Sequence, residues 1–249
     1  MSDQAREGAA AAGRSFFDRR RALRATALSA WTAFFVWLWI SGEMSRYLGP
    51  RTYWVVPFGA AALGIAALLH LLTLRASSPQ PGISRGDIVG SVMLVAPLIA
   101  VLVVPSADLG SLAASRKSTT GVSSAVALSP EGAEPVENPS FRDIANAEQS
   151  SEYAQAIAVG PDTEVDLTGF VDEGPGPEGT FELTRFYVSC CAADAIPYSV
   201  AVDPGPGGSA PPVDSWASVS GTLETRGERF VVVAESVERA AEPDEPYLY

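Results

Sequence analysis

Tyr53–Leu74 reads YWVVPFGAAALGIAALLHLLTL, 22 residues without a formal charge. A helix that crosses the roughly 30 Å hydrocarbon layer of a bilayer needs about 20 such residues at about 1.5 Å each, so this run is long enough to span. Two runs flank it. Ala22–Gly42 carries one charge, Arg24, near its start and continues through Trp31, Phe34, Phe35, Trp37, Leu38, Trp39 and Ile40. Ile88–Pro105 is shorter but uncharged and follows Asp87. The pattern predicts an integral membrane protein with three transmembrane helices, over residues 22–42, 53–74 and 88–105. A cleaved leader fits the first run poorly, because its apolar part ends in large aromatics without a small-x-small site. Pro97 in the third run is compatible with spanning when neighbours satisfy the freed carbonyl; a kinked buried helix is the other reading.

Arg14, Arg19, Arg20, Arg21 and Arg24 crowd the start of the first run. Cationic charge in short flanks sets topology, so residues 1–21 are expected to form a cytoplasmic tail. Three crossings then place the 43–52 connection and everything after Pro105 on the extracytoplasmic side of the cell membrane. His70, the single histidine, falls near the cytoplasmic end of the second run. An intramembrane polar residue is a functional candidate, though near a helix end it can simply reach the headgroups. Gly59, Ala60, Ala61, Ala62, Gly64, Ala66 and Ala67 would let another helix approach closely.

Charge divides the chain. Residues 1–130 hold 12 Lys or Arg against 6 Asp or Glu, and residues 131–249 hold 5 against 23. An acidic domain repels phosphate backbones, so nucleic acid is excluded as a partner, while membrane lipid is expected around the first part. Residues 106–139 are rich in Ser, Ala, Gly, Pro and Glu and read as a tether. Pro139 and Ser140 offer a helix start before Phe141–Ala147, and Tyr153–Val159 extends the packing. Strand-like runs follow at 165–171, 181–189, 198–202, 215–223 and 229–237, separated by Gly- and Pro-rich turns. Five short strands with one buried face each predict an all-β domain over 140–249, an OB-like small β-barrel, with a sandwich as the next choice. Gly169 and Gly221 sit where bends that close a barrel fall.

The segments TGFV (168–171), RFYVSCCAADA (185–195), WASVSG (216–221) and PYLY (246–249) resemble the YcgQ-like family of permease subunits, as do GEMSRYLGPR (42–51) and ADLGSLAASRK (107–117). The resemblance covers most of the chain, and the doubled cysteine is its most specific part. It implies a small subunit beside a larger polytopic permease subunit, acting in transport.

Cys190 and Cys191 are the only cysteines and are adjacent, so no long loop can be stapled within one chain. Three readings stand. A vicinal disulfide must strain a peptide whose Cα atoms lie about 3.8 Å apart. In a continuing strand the two side chains point to opposite faces, one into the barrel. If the strand ends there, both thiolates and the Asp194 carboxylate can converge on a soft metal ion, Zn²⁺ or Cu⁺. An enzyme is not expected: no histidine lies outside the membrane region to activate a nucleophile. The expected function is an accessory subunit of a transporter complex that handles a transition metal. The alternative is a membrane-anchored extracytoplasmic metal or redox sensor that acts without a permease.

Overall fold

Ala- and Leu-rich composition makes Arg19–Ser41 (α1) and Val55–Leu72 (α2) continuous helices. Pro57 is tolerated in the first turn of α2, where backbone N–H groups have no intrahelical acceptor. Gly42 ends α1 with φ +79°, a left-handed conformation that glycine adopts without steric cost. The computed structural model describes residues 16–17, 19–73, 75–76, 83–103, 109–118, 132–174 and 176–249. They fall into two compact units: Met1–Met44 with Thr52–Ser106, and Ser45–Arg51 with Ala107–Tyr249.

In the first unit α1 packs on α2, and the third helix, Arg85–Val103 (α3), lies against α1. Gly59 and Gly64 make the close approach. A methyl group on Gly64 would sit 3.4 Å from Thr32 Cγ2, and one on Gly59 3.7 Å from the Phe35 ring. The Trp31 indole donates to the Leu94 carbonyl at 3.0 Å and ties α1 to α3. Large apolar side chains including Trp39, Leu72 and Met93 remain exposed.

Among the described residues two helices, not three, are long and apolar enough to cross a membrane: Arg19–Ser41 and Pro50–Leu72. The third run does form a helix, but Arg85 and Asp87 occupy its first turn. Its described uncharged part, Ile88–Val103, rises only about 24 Å, short of the hydrocarbon thickness. Residues 104–105 of that run lie outside the described residues, as does most of the expected 1–21 tail.

The second unit is built on five strands: β1 (Glu164–Asp172), β2 (Phe181–Tyr187), β3 (Ile196–Asp203), β4 (Trp216–Arg226) and β5 (Arg229–Arg239). They close into a barrel of order β1-β2-β3-β5-β4, antiparallel everywhere except between β3 and β5. β4 alternates half-exposed and buried positions from Trp216 to Leu223, as a one-sided strand must. At Gly221 the β4–β5 register shifts, and a Cβ there would lie 2.2 Å from the Val233 carbonyl oxygen, so only glycine fits the bulge.

The helix Phe141–Gln149 (α5) starts on a capping box: the Ser140 side chain accepts from Asp143 N, and the Asp143 carboxylate accepts from Ser140 N. Phe141, Ile144 and Ala147 share one face and pack with Leu183, Val200, Val202, Val219, Leu223 and Val232 in the barrel core. Ser151–Ala156 (α6) follows at once, and Ile157 and Val159 join the same core.

Most strand ends differ from expectation by one to three residues, and two differences bear on the thiol loop. β2 ends at Tyr187 rather than Ser189, because the chain turns aside after Val188. The stretch read as a tether contains a helix, Ser111–Ser118 (α4), that packs on β1 and β3. Its Ala114 joins Phe170, Phe186, Val188, Ala195 and Tyr247 in a second small core outside the barrel. Residues 119–131 of the expected tether lie outside the described residues.

Candidate metal site

Because β2 stops at Tyr187, Ser189–Asp194 forms a loop whose cysteines are not on a strand. Cys190 is exposed and Cys191 half-buried, so neither thiol packs into the barrel, and the two form no disulfide. A 3₁₀ turn at Ala192–Asp194 brings the Asp194 carboxylate back under the loop. Its Oδ1 accepts from Ser189 N at 3.2 Å and its Oδ2 from Cys190 N at 2.9 Å.

The two sulfurs are 3.7 Å apart. Ligand atoms of Cys190, Cys191 and Asp194 all lie within 4.8 Å of one another. At a Zn–S length of about 2.3 Å, sulfurs with this separation subtend about 107° at a shared ion, close to a tetrahedral angle. The donor set, two thiolates and one carboxylate, suits Zn²⁺, and its sulfurs suit Cu⁺. Each Asp194 oxygen that accepts an N–H keeps a further lone pair.

Without an ion the Cys190 thiol is held protonated. The hydrogen bond to Asp194, the contact with Cys191 and burial push the Cys190 thiol up to about 11. Burial raises the Asp194 carboxyl, but the Cys190 thiol and the backbone N–H groups of Cys190, Ser189 and Cys191 outweigh it. The carboxyl is therefore held below its usual range. A bound cation would reverse the balance at the sulfurs, since coordination displaces the thiol protons.

Three other segments of this unit hold the loop. Residues 45–51, the connection between α1 and α2, lie alongside it. Leu48 pairs with Cys191 as an antiparallel bridge, Gly49 N donates to Cys190 O at 3.1 Å, and Ala192 N donates to Tyr47 O at 2.9 Å. From α4, the Lys117 ammonium donates to the carbonyls of Ala193 and Ala195 at 3.1 and 2.7 Å. The C-terminal tail runs beside Tyr187: Val188 N donates to Leu248 O, and Leu248 N to Phe186 O. The Tyr247 hydroxyl then donates to Arg46 O at 3.1 Å and joins tail to connection.

Sequence reasoning singled out Cys190, Cys191 and Asp194, and the fold brings them together. It did not reach Tyr47, Gly49, Lys117 or Leu248 as parts of the site. The signal was nonetheless in the chain, since GEMSRYLGPR, ADLGSLAASRK, SCCAAD and PYLY are the segments that meet here. His70 belongs to the helical unit.

Residues 156–249 match the model of the DUF1980 C-terminal domain. The match takes in all five strands, the thiol loop and the C-terminal tail, and stops short of α1–α5. This part of the chain is therefore similar to that domain. No curated protein matches the chain.

Proposed function

We propose that this chain is a membrane-anchored accessory subunit of a transporter complex whose exported, OB-like barrel takes a soft transition-metal ion at Cys190, Cys191 and Asp194. The carrying observation is the convergence of those three ligand atoms within 4.8 Å of one another, with the two sulfurs at tetrahedral spacing, on a loop outside either core. Two thiolates and one carboxylate leave a fourth position for water or for a donor from a partner, which suits transfer better than permanent structure. The closed order β1-β2-β3-β5-β4 with a parallel β3–β5 pair supports the OB-like reading.

The topology has its own support. Residues 45–51 are part of the barrel unit, which supports a reading in which the α1–α2 connection and the barrel share one side of the membrane. The chain leaves α2 on the opposite side and must cross back before α4. α3 is the helix available for that crossing, and modest local thinning of the bilayer accommodates its length. The arginines before α1 support a cytoplasmic N-terminus and a barrel on the outer side.

The test uses the full chain, purified in detergent under reducing conditions, titrated separately with Zn²⁺ and Cu⁺ and analysed for metal after desalting. One retained ion, lost in Cys190→Ser and in Cys191→Ser while the barrel stays folded, supports the site. Folded, reduced protein that retains no metal sinks it. Affinity purification should also bring down a larger polytopic protein in near-equal amount; repeated recovery of the chain alone argues against the transporter role.

A further inference from the structure

The helical unit encloses a cavity of about 380 Å³ that the thiol site does not use. Arg20 and Arg24, four residues apart on one face of α1, line it together with His70 from the last turn of α2 and Asp87 from the first turn of α3. Leu28 and Leu94 supply apolar wall. Asp87 is already committed. It accepts from Ser84 N and Ser84 Oγ at 2.9 and 2.7 Å, and it pairs with Arg20 Nε at 3.0 Å. Arg24 and His70 make no side-chain hydrogen bond or ion pair among the described residues. The cavity therefore holds two guanidinium groups against one carboxylate, Asp87, which pairs with Arg20 and acts on Arg24 only through space, so one positive charge is in excess.

A basic group near the end of an apolar helix is satisfied where it reaches water or a lipid headgroup. We propose that this cavity binds the phosphate of an anionic phospholipid, with the Arg24 guanidinium and the His70 ring N–H as donors and the Arg20–Asp87 pair as its fixed wall. Guanidinium presents a planar fork that matches phosphate oxygens, and an imidazole N–H adds a further donor. The volume accommodates a headgroup but not acyl chains. Those chains have a place on the exposed apolar surface of α2 and α3, where Leu69 is 58%, Leu72 72% and Met93 74% exposed. The exposed apolar surface of α2 and α3 favours a lipid phosphate over a free anion, which would gain nothing from Leu69, Leu72 and Met93. The proposal rests on the membrane-spanning reading of α1–α3.

The test reconstitutes the full chain in vesicles of phosphatidylcholine with one fifth phosphatidylglycerol, extracts it in mild detergent and counts retained lipids by native mass spectrometry. Wild type should keep phosphatidylglycerol. Arg24→Gln and His70→Gln should each lower its retention about tenfold, the loss of one charge-assisted hydrogen bond. Arg19→Gln removes the same charge from outside the cavity and should leave retention unchanged. Equal loss in Arg19→Gln would show diffuse attraction to a basic helix end and overturn the proposal, as would retention that no variant changes. Millimolar inorganic phosphate that strips the lipid would assign the site to a soluble anion instead and also overturn it. Extraction of the chain from vesicles by alkaline carbonate would sink the membrane reading itself, whereas an inserted chain without bound lipid sinks only this inference.

Discussion

Substituting Gly49 tests whether the α1–α2 connection holds the thiol loop. A Cβ at this position would lie 2.9 Å from the Ser189 carbonyl oxygen and 3.4 Å from the Val188 oxygen, both backbone atoms that no rotamer change can move aside. Gly49→Ala must open the bridge locally, and Gly49→Val, with two further methyl groups, must displace it. The bridge carries two backbone hydrogen bonds, Gly49 N to Cys190 O and Ala192 N to Tyr47 O. At about 0.5–1.5 kcal/mol net each, losing both removes about 1–3 kcal/mol from the loop. If the loop geometry that metal binding requires is maintained by this bridge, the same energy appears as weaker binding. Each 1.4 kcal/mol is about a tenfold change in Kd, so Gly49→Val should raise Kd for Zn²⁺ about five- to a hundredfold, with Gly49→Ala near the lower end. A chelator-competition titration of the purified full chain measures this, with thermal unfolding of the same samples as the stability readout. Unchanged Kd and unchanged Tm in Gly49→Val would refute the reasoning, because the connection would then touch the loop without holding it.

Other predictions concern the barrel. Glu182 is 3% exposed and its carboxylate accepts from Arg229 Nη1 and Nη2 at 2.7 and 3.1 Å. Arg229→Met leaves that charge buried without its partner and should destabilise the barrel by about 2–3 kcal/mol, at the low end for a buried pair because Arg229 is partly exposed. Phe141→Ala empties the centre of the core beneath α5 and should cost about 3–5 kcal/mol; a loss below 1 kcal/mol in urea unfolding would mean that α5 does not seal the barrel. Burial raises the Glu148 carboxyl above its usual range, against the opposing pull of the Phe230 N–H and Arg229. The folded state therefore binds this proton more tightly than the unfolded chain, and its contribution to stability falls as pH rises through the raised value. Gln cannot titrate, so Tm of Glu148→Gln minus Tm of wild type should grow more positive from pH 4.5 to pH 8, and a flat difference contradicts the assignment.

The barrel was legible because each strand advertises itself locally. Alternation in Trp216–Leu223, turn residues between runs, and Gly221 at the bulge all act within a few residues. The helix start at Ser140 was legible for the same reason, since a cap and its N3 acid are three residues apart. Strand ends were less so. Val188 and Ser189 continue the apolar-polar alternation of β2, and only the pull of Leu248 and the Asp194 cap, both tertiary, turns the chain aside after Tyr187. The helix α4 was hidden by composition. SLAASRKS has too little apolar surface to read as core, yet Ala114 is buried because small side chains let the helix sit close against Phe170 and Phe186.

The candidate ligands could be picked from residue chemistry, but the scaffold around them could not, because it is assembled from pieces more than 140 residues apart in the chain. No periodicity links Tyr47–Gly49 to Cys190–Ala192, and Lys117 looks like a solvated charge until its ammonium is seen to bridge two carbonyls of the same loop. The arrangement has a physical logic. An exposed six-residue loop with two cysteines has few buried contacts of its own, and fixing its backbone costs about 1–2 kcal/mol per residue. The 45–51 connection, α4 and the C-terminal tail each offset part of that cost through hydrogen bonds to the backbone of the loop or its flanks, so the thiols meet at metal-ligand spacing before any ion arrives. Preorganisation of this kind raises affinity by lowering the ordering cost of binding rather than by adding donors. A barrel excised at Ser140 would keep all three ligands but lose two of the three braces, and it should therefore bind metal more weakly than the full chain.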